Sequence, residues 1–407
     1  MLINLSPLFK YRNYRLLYLG QFVSMFGNML TYVALPYQIF HLTNSSLAVG
    51  NVGLVQLFPL LVTSLWGGAL ADKLNRKKLL LAAEIGLFLS SLLLLLNSLL
   101  TPHVWVIYVL AGLSSALSGF HRPVIEGMTQ SLVEHADMPA VSSLSSFKYA
   151  ITSIGGPTIA GLILAKLNLP YLYALDTLTY IVSLGAVIFL RVPRLEKKVM
   201  EPILQSIKDG IVYAMSRQEL MGTYFVDFAA MIFGMPLALF PAIAESFHFK
   251  TAIGWLYAAP SVGMLGAAIF SGWVDKIHRH GVAIAYSATV WGFAIIAFGL
   301  SHNFIIALFF LAIAGGADAV SGLFRQTMWN QTVPQHLRGR LAGIEMISYM
   351  SGPLLGNTEA GLVAAGFGTT VSVVSGGVLC VLSVAVLIIL LPKFRKYSAR
   401  LPVLQNT

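Results

Sequence analysis

Cysteine and charge are what this 407-residue chain has least of. Its one cysteine, Cys380, cannot close a disulfide within the chain, which excludes a disulfide-stapled scaffold. Charged residues make up 10% of the sequence and hydrophobic residues 57%, with a mean hydropathy of +0.77. That balance lies outside the range of soluble globular domains. No Walker-type phosphate loop occurs, so ATP is not expected to drive this protein from within its own chain. The nine histidines are scattered, and His278 and His280 lack the companions of a zinc motif. No catalytic constellation remains, so an enzyme is not expected, and neither is a cofactor or a metal.

What is present is a series of apolar runs of roughly 20 residues or more, each able to cross about 30 Å of hydrocarbon. Twelve can be counted, from 14–41 to 368–391. In lipid such runs are helices, because every backbone N–H and C=O must be satisfied within its own segment. The fold expected is an all-α membrane protein with twelve transmembrane helices. The first run has no small-residue cleavage site after it and reads as an uncleaved anchor.

The net charge of +10 has the look of a nucleic-acid footprint, but its placement argues otherwise. Apart from three cations within spans, every Lys and Arg except Lys166 and Lys250 falls in loops on one face. By the positive-inside rule that face is cytoplasmic and holds both termini. A multi-pass protein of the bacterial inner membrane follows, with the bilayer and a small-molecule substrate as its partners and no nucleic acid. Oligomeric state is not legible; a monomer is expected.

Residues 111–129 and 314–332 are one helix written twice. Ala111, Gly112, Ala116, Ser118, Gly119, Arg122 and Thr129 reappear as Ala314, Gly315, Ala319, Ser321, Gly322, Arg325 and Thr332. The same offset carries Asp72, Lys73 and Arg76 onto Asp275, Lys276 and Arg279. Two pseudo-symmetric six-helix halves, 1–191 and 220–407, are therefore expected, with a substrate cavity between them near the midplane. The linker 192–219 carries Ile203, Ile207, Ile211 and Met215 on one helical stripe. It reads either as an amphipathic helix on the membrane surface or as a spacer packed on the loops.

Three stretches point to a family. GGALADKLNRKK at 67–78, with Gly68, Asp72 and Arg76, resembles the cytoplasmic loop signature of the major facilitator superfamily. Asn75 stands where a second glycine is usual, and the second half keeps a weaker copy with Asp275 and Arg279. SIGGPTIAG at 153–161, with Gly156, Pro157 and Gly161, is similar to the glycine-proline stretch of that superfamily's exporters, and MSGPLLG at 350–356 echoes it. AVSGLFRQTMWNQTVPQHLRGRLAG at 319–343 resembles the drug:proton antiporter branch, which includes siderophore exporters and macrolide efflux pumps. The resemblance implies alternating access, export driven by protons, and a cytoplasmic gate in which Asp72 and Arg76 latch the halves.

Charges inside spans are where such a mechanism resides, since a lone charge at mid-bilayer costs about 3 kcal/mol on insertion scales. Arg122 and Glu126 lie four apart, and Asp318 and Arg325 seven apart, each pair on one helix face. The resemblance sets spans one, four, seven and ten around the cavity, which makes Arg122, Arg325, Asn28 and Gln21 candidate substrate contacts. Asp227, Glu126 and Asp318 are the proton-coupling candidates. Arg122–Glu126 also reads as a self-neutralising structural pair, and Lys148, Asp176, Glu345 and Glu359 read as structural. For the substrate, a siderophore or related polar metabolite suits two arginines. An amphipathic drug suits the Met- and aromatic-rich spans, and a lipid-handling or channel-like protein is the third alternative.

Overall fold

A computed structural model describes the backbone of residues 4–73, 75–191, 211–249, 251–334 and 338–398. The side chains of 65–73, 273, 275, 338–340 and 342–348 lie outside the described set. The described residues form helices α1 (Ser6–Lys10), α2 (Arg12–Thr43), α3 (Ser46–Lys73), α4 (Arg76–Leu99), α5 (Val104–Leu132), α6 (Met138–Lys166) and α7 (Pro170–Phe189). There follow α8 (Gln218–Phe233), α9 (Phe240–Ser246), α10 (Ala252–Ile269), α11 (His280–Gly299), α12 (Phe304–Thr332), α13 (Arg338–Phe367), α14 (Thr369–Leu390) and α15 (Pro392–Lys396).

Among the described residues, 10 stretches are long and apolar enough to cross a membrane, α8 through α9 counting as one. The 32-residue α2 and 30-residue α13 stand outside that set. α2 has the length but carries Gln21, Ser24, Asn28, Thr31 and Gln38, of which Gln21, Ser24 and Gln38 are buried. Those three turn inward. With these two the expected twelve long segments are all present.

Contacts divide the chain into two compact units: Met1–Val199 with Phe240–Ala258, and Met200–Leu239 with Ala259–Thr407. In the first, α2 packs on α6 and α7, α4 on α5 and α7, and α3 on α5. In the second, α11 packs on α12 and α14, and α8 on α13 and α14. The repeated Ala-Gly pair marks a close helix contact in each unit. A Cβ on Gly112 would stand 3.3 Å from the Val55 carbonyl oxygen of α3, and one on Gly315 would run into the Pro260 carbonyl of α10. Small residues let backbones approach where lipid supplies no hydrophobic drive between helices.

Helix ends follow capping chemistry. Asn75 begins α4, its side chain accepting a hydrogen bond from the Lys78 N–H at 3.2 Å, so the departure from the family's glycine creates an N-cap. Asn44 closes α2 in the left-handed conformation, φ 50°, which asparagine tolerates better than most residues. Of the linker, 192–210 lies outside the described residues, and so do Ile203 and Ile207. Residues 211–216 are helical, with Ile211 and Met215 exposed, Ala214 buried, and the Tyr213 hydroxyl donating to the Thr332 carbonyl at 2.9 Å.

The amino-terminal helix is held to the start of α6 by charge. Lys10 Nζ lies 3.0 Å from both Glu134 Oε2 and Asp137 Oδ2, and the Tyr11 hydroxyl donates to Asp137 at 2.8 Å. The Tyr11 hydroxyl and Lys10 hold the Asp137 carboxyl below its usual range. Tyr11, Glu134 and Asp137 hold the Lys10 ammonium above its own. The carboxylate's contribution is therefore lost as pH falls through its lowered value, and the ammonium's as pH rises through its raised one. Between about pH 4 and pH 10 the clasp is complete. Amide hydrogen exchange in Ser6–Lys10, corrected for intrinsic rate, should be slow in that window and accelerate in acid. D137N should show the fast rate already at neutral pH.

Candidate functional site

Three charged side chains converge in the second unit. Asp318 and Arg325 sit two turns apart on α12, so both point the same way, and α8 brings Asp227 to them. Arg325 Nη1 forms an ion pair with Asp227 Oδ1, and Nη2 donates to Asp318 Oδ1 at 3.4 Å. Asp227, Arg325 and Asp318 expose 9%, 18% and 29% of their side chains, so little solvent screens them. The cluster carries two carboxylates and one guanidinium. It is one negative charge out of balance when both acids are ionised, and one proton makes it neutral. A small pocket lies beside it, bordered by Met231, Trp291 and Ser321 as well as by both carboxylates.

The first unit has a different polar centre. Glu84 of α4 is 0% exposed. Its Oε1 accepts hydrogen bonds from Gln21 Nε2 at 2.7 Å and Ser183 Oγ at 3.0 Å, and lies 2.9 Å from His121 Nε2. Gln21 is thus a buried partner of Glu84 and not a free polar group. Asn28 is exposed and accepts a hydrogen bond from the Tyr180 hydroxyl at 2.5 Å. Arg122 and Glu126 pair along α5, Nε to Oε1 at 3.2 Å, and remain 49% and 63% exposed.

Of the gate residues, Gly68 falls within α3, and the side chains of Asp72 and Asp275 lie outside the described residues. Arg76 reaches across to α5 and donates from Nη1 to the Gly127 carbonyl at 2.8 Å. Arg279 is the N-cap residue of α11. In α6, Gly156 lies against Met29 of α2, Pro157 sits within the helix, and a Cβ on Gly161 would stand 2.7 Å from the Cα of Gly254. The echo in α13 has the same use, with Gly352 lying against Met231.

The spacing in the sequence puts Asp318 and Arg325 on one helix face but does not bring Asp227 to them. Sequence reasoning passed over Glu84 and His121. Glu84 had a usable signal, an acid in the middle of an apolar run (AAEIGLF), where a charge demands a partner.

The arrangement of helices matches that of known secondary transporters. A POT family transporter solved in complex with 5-aminolevulinic acid superposes with a TM-score of 0.74 at 12% identity, covering 95% of this chain and 97% of that one. The nucleoside transporter NupG gives 0.72 at 12%, covering 94% and 98%. The chain belongs to the transmembrane secretion effector family, part of the major facilitator superfamily, whose profile matches residues 3–403. Curated relatives include the enterobactin exporter EntS of Shigella flexneri, 27% identical over 98% of this chain and 97% of the relative. The EntS of Escherichia coli O1:K1 / APEC is 26% identical over the same shares. The protein is a multi-pass membrane transporter, not an enzyme.

Arg325→Gln should leave one buried carboxylate, Asp227, and one half-buried, Asp318, without their cation, at about 3–5 kcal/mol. Arg122→Gln breaks an exposed pair and should cost less than about 1 kcal/mol. Thermal unfolding of the purified variants in detergent, compared with the parent, measures the contrast.

Proposed function

We propose that the chain is a proton-driven exporter of a siderophore or related polar metabolite, working by alternating access in the bacterial inner membrane. The observation that carries the coupling is the Asp227–Arg325–Asp318 cluster. A buried site that is short of one proton for neutrality is favoured when loaded and disfavoured when empty, as a proton-coupled cycle requires. One proton moving inward across 100 mV releases about 2.3 kcal/mol, which such a site can convert into outward movement of substrate. Glu126, exposed and already paired with Arg122, is the least suited of the three acids named from the sequence.

Export, and the siderophore class, are supported by similarity to the enterobactin exporters across nearly the full length of both chains. The cation asymmetry of the loops supports two cytoplasmic termini. The halves 1–191 and 220–407, joined through 192–219, are the domains of this reading, and the monomer is its functional unit. Asp72 and Arg76, with Asp275 and Arg279, form its cytoplasmic gate. Arg122 and Arg325 are the candidate contacts for an anionic or catecholate substrate, which would compete for them with Glu126 and with Asp227 and Asp318.

An iron-starved strain lacking the protein should secrete less iron chelator and retain it in the cells, and the intact gene should restore secretion. In the same assay Asp227→Asn and Asp318→Asn, one at a time, should abolish the restoration. Unchanged secretion in the deletion strain, with heightened sensitivity to amphipathic drugs, would make multidrug efflux the function instead. Full restoration by both variants would remove the coupling assignment.

A further inference from the structure

The transport reading leaves unused a second set of buried titratable groups, in the first unit, where α2, α4, α5 and α7 meet. Glu84 is its centre. Among the described residues its hydrogen bonds fall on one oxygen: Gln21 Nε2, Ser183 Oγ and His121 Nε2 converge on Oε1, while Oε2 is buried with no partner. A carboxylate kept only as a structural acceptor gains by spreading its donors over both oxygens. Here one oxygen holds the network, and the other is bare in a place where a bare charge is costly.

His121 is the one basic side chain within ion-pair distance of Glu84 among the described residues, and its side chain is 16% exposed while that of Glu84 is 0% exposed. A histidine at this boundary can take a proton from outside the cluster and stand as a cation against the carboxylate. The other groups facing Glu84 are neutral: the Gln21 amide of α2 and the Ser183 hydroxyl of α7. Tyr180 of α7 interacts electrostatically with Glu84 and with Asp176. Asp176 lies seven residues from Ser183, about 10 Å along the helix. It takes its own hydrogen bonds from Thr31 at 2.6 Å and Ser91 at 2.9 Å.

We propose that Glu84 is a proton-binding site of the first unit and that His121 is the group through which it exchanges that proton. With one proton the pair is neutral, as imidazolium and carboxylate or, after transfer from His121 Nε2 to Glu84 Oε1, as imidazole and carboxylic acid. Without it the pair holds a single buried negative charge. The step moves one proton and no electrons. Its role in export rests on the proton-driven reading given above, but its proton binding does not.

The test is therefore one that needs no substrate. Infrared difference spectra of the purified protein, recorded across pH steps, should show the C=O stretch of a protonated carboxylic acid that disappears as pH rises. Glu84→Gln should remove that band, and D227N and D318N should leave it in place. His121→Gln should keep the band but change its pH course, because the group in hydrogen-bond contact with Glu84 Oε1 is gone. An E84Q spectrum superimposable on that of the parent would overturn the proposal. Should E84Q not fold, an H121Q band with the parent's pH course would overturn it equally. Chelator secretion by E84Q cells is read separately: a loss there assigns the site to coupling, and a failure of the siderophore reading leaves the infrared result standing.

Discussion

An ion in hydrocarbon must bring its own partner, and most of what is particular about this protein follows from that constraint. In the second unit one guanidinium, Arg325, serves two carboxylates on two helices, α8 and α12. In the first, one carboxylate, Glu84, draws donors from three neighbouring helices. Neither arrangement is a strong source of stability, since desolvation offsets much of the attraction in a buried pair. Both fix which helix faces meet, because any other rotation would leave a charge in an apolar environment. The polar residues along α2 act in the same way. They make that helix too polar for the apolar set and bury Gln21 and Gln38 against Glu84 and Tyr173.

The helical spans and the repeat were legible in the sequence because they depend on local quantities: run length and a fixed offset between similar segments. The helix crossings of the two Ala-Gly copies were implicit in that offset, since the two copies meet their neighbours in equivalent ways at Gly112 and Gly315. The charge clusters were only half legible. Spacing along α12 puts Asp318 and Arg325 on one face, but nothing in a sequence says that the facing residue of α8 is Asp227. Glu84 escaped notice because an apolar run absorbs one acid without losing its helical reading.

The grouping of Phe240–Ala258 with the first unit was not legible at all. Chain order places those residues after the linker, and the contacts that decide the matter are tertiary. Tyr257 packs edge-on against Tyr32 of α2 and against Phe240, with ring centroids 5.3 Å and 4.9 Å apart. The Asn75 cap shows the reverse case. A departure from a family pattern that weakens a motif match is accounted for by ordinary helix-capping chemistry once its local geometry is known.

The meeting of Gly161 with Gly254 differs in kind from these side-chain clusters. Two backbones touch there with no side chain between them, so the attraction is a sum of small dispersion contacts. Nothing in it has a rotamer to freeze, and no hydrogen bond need break for it to part. The strength of that one contact is set by the fit of two bare backbone surfaces, and a single methyl group on either glycine would force them apart.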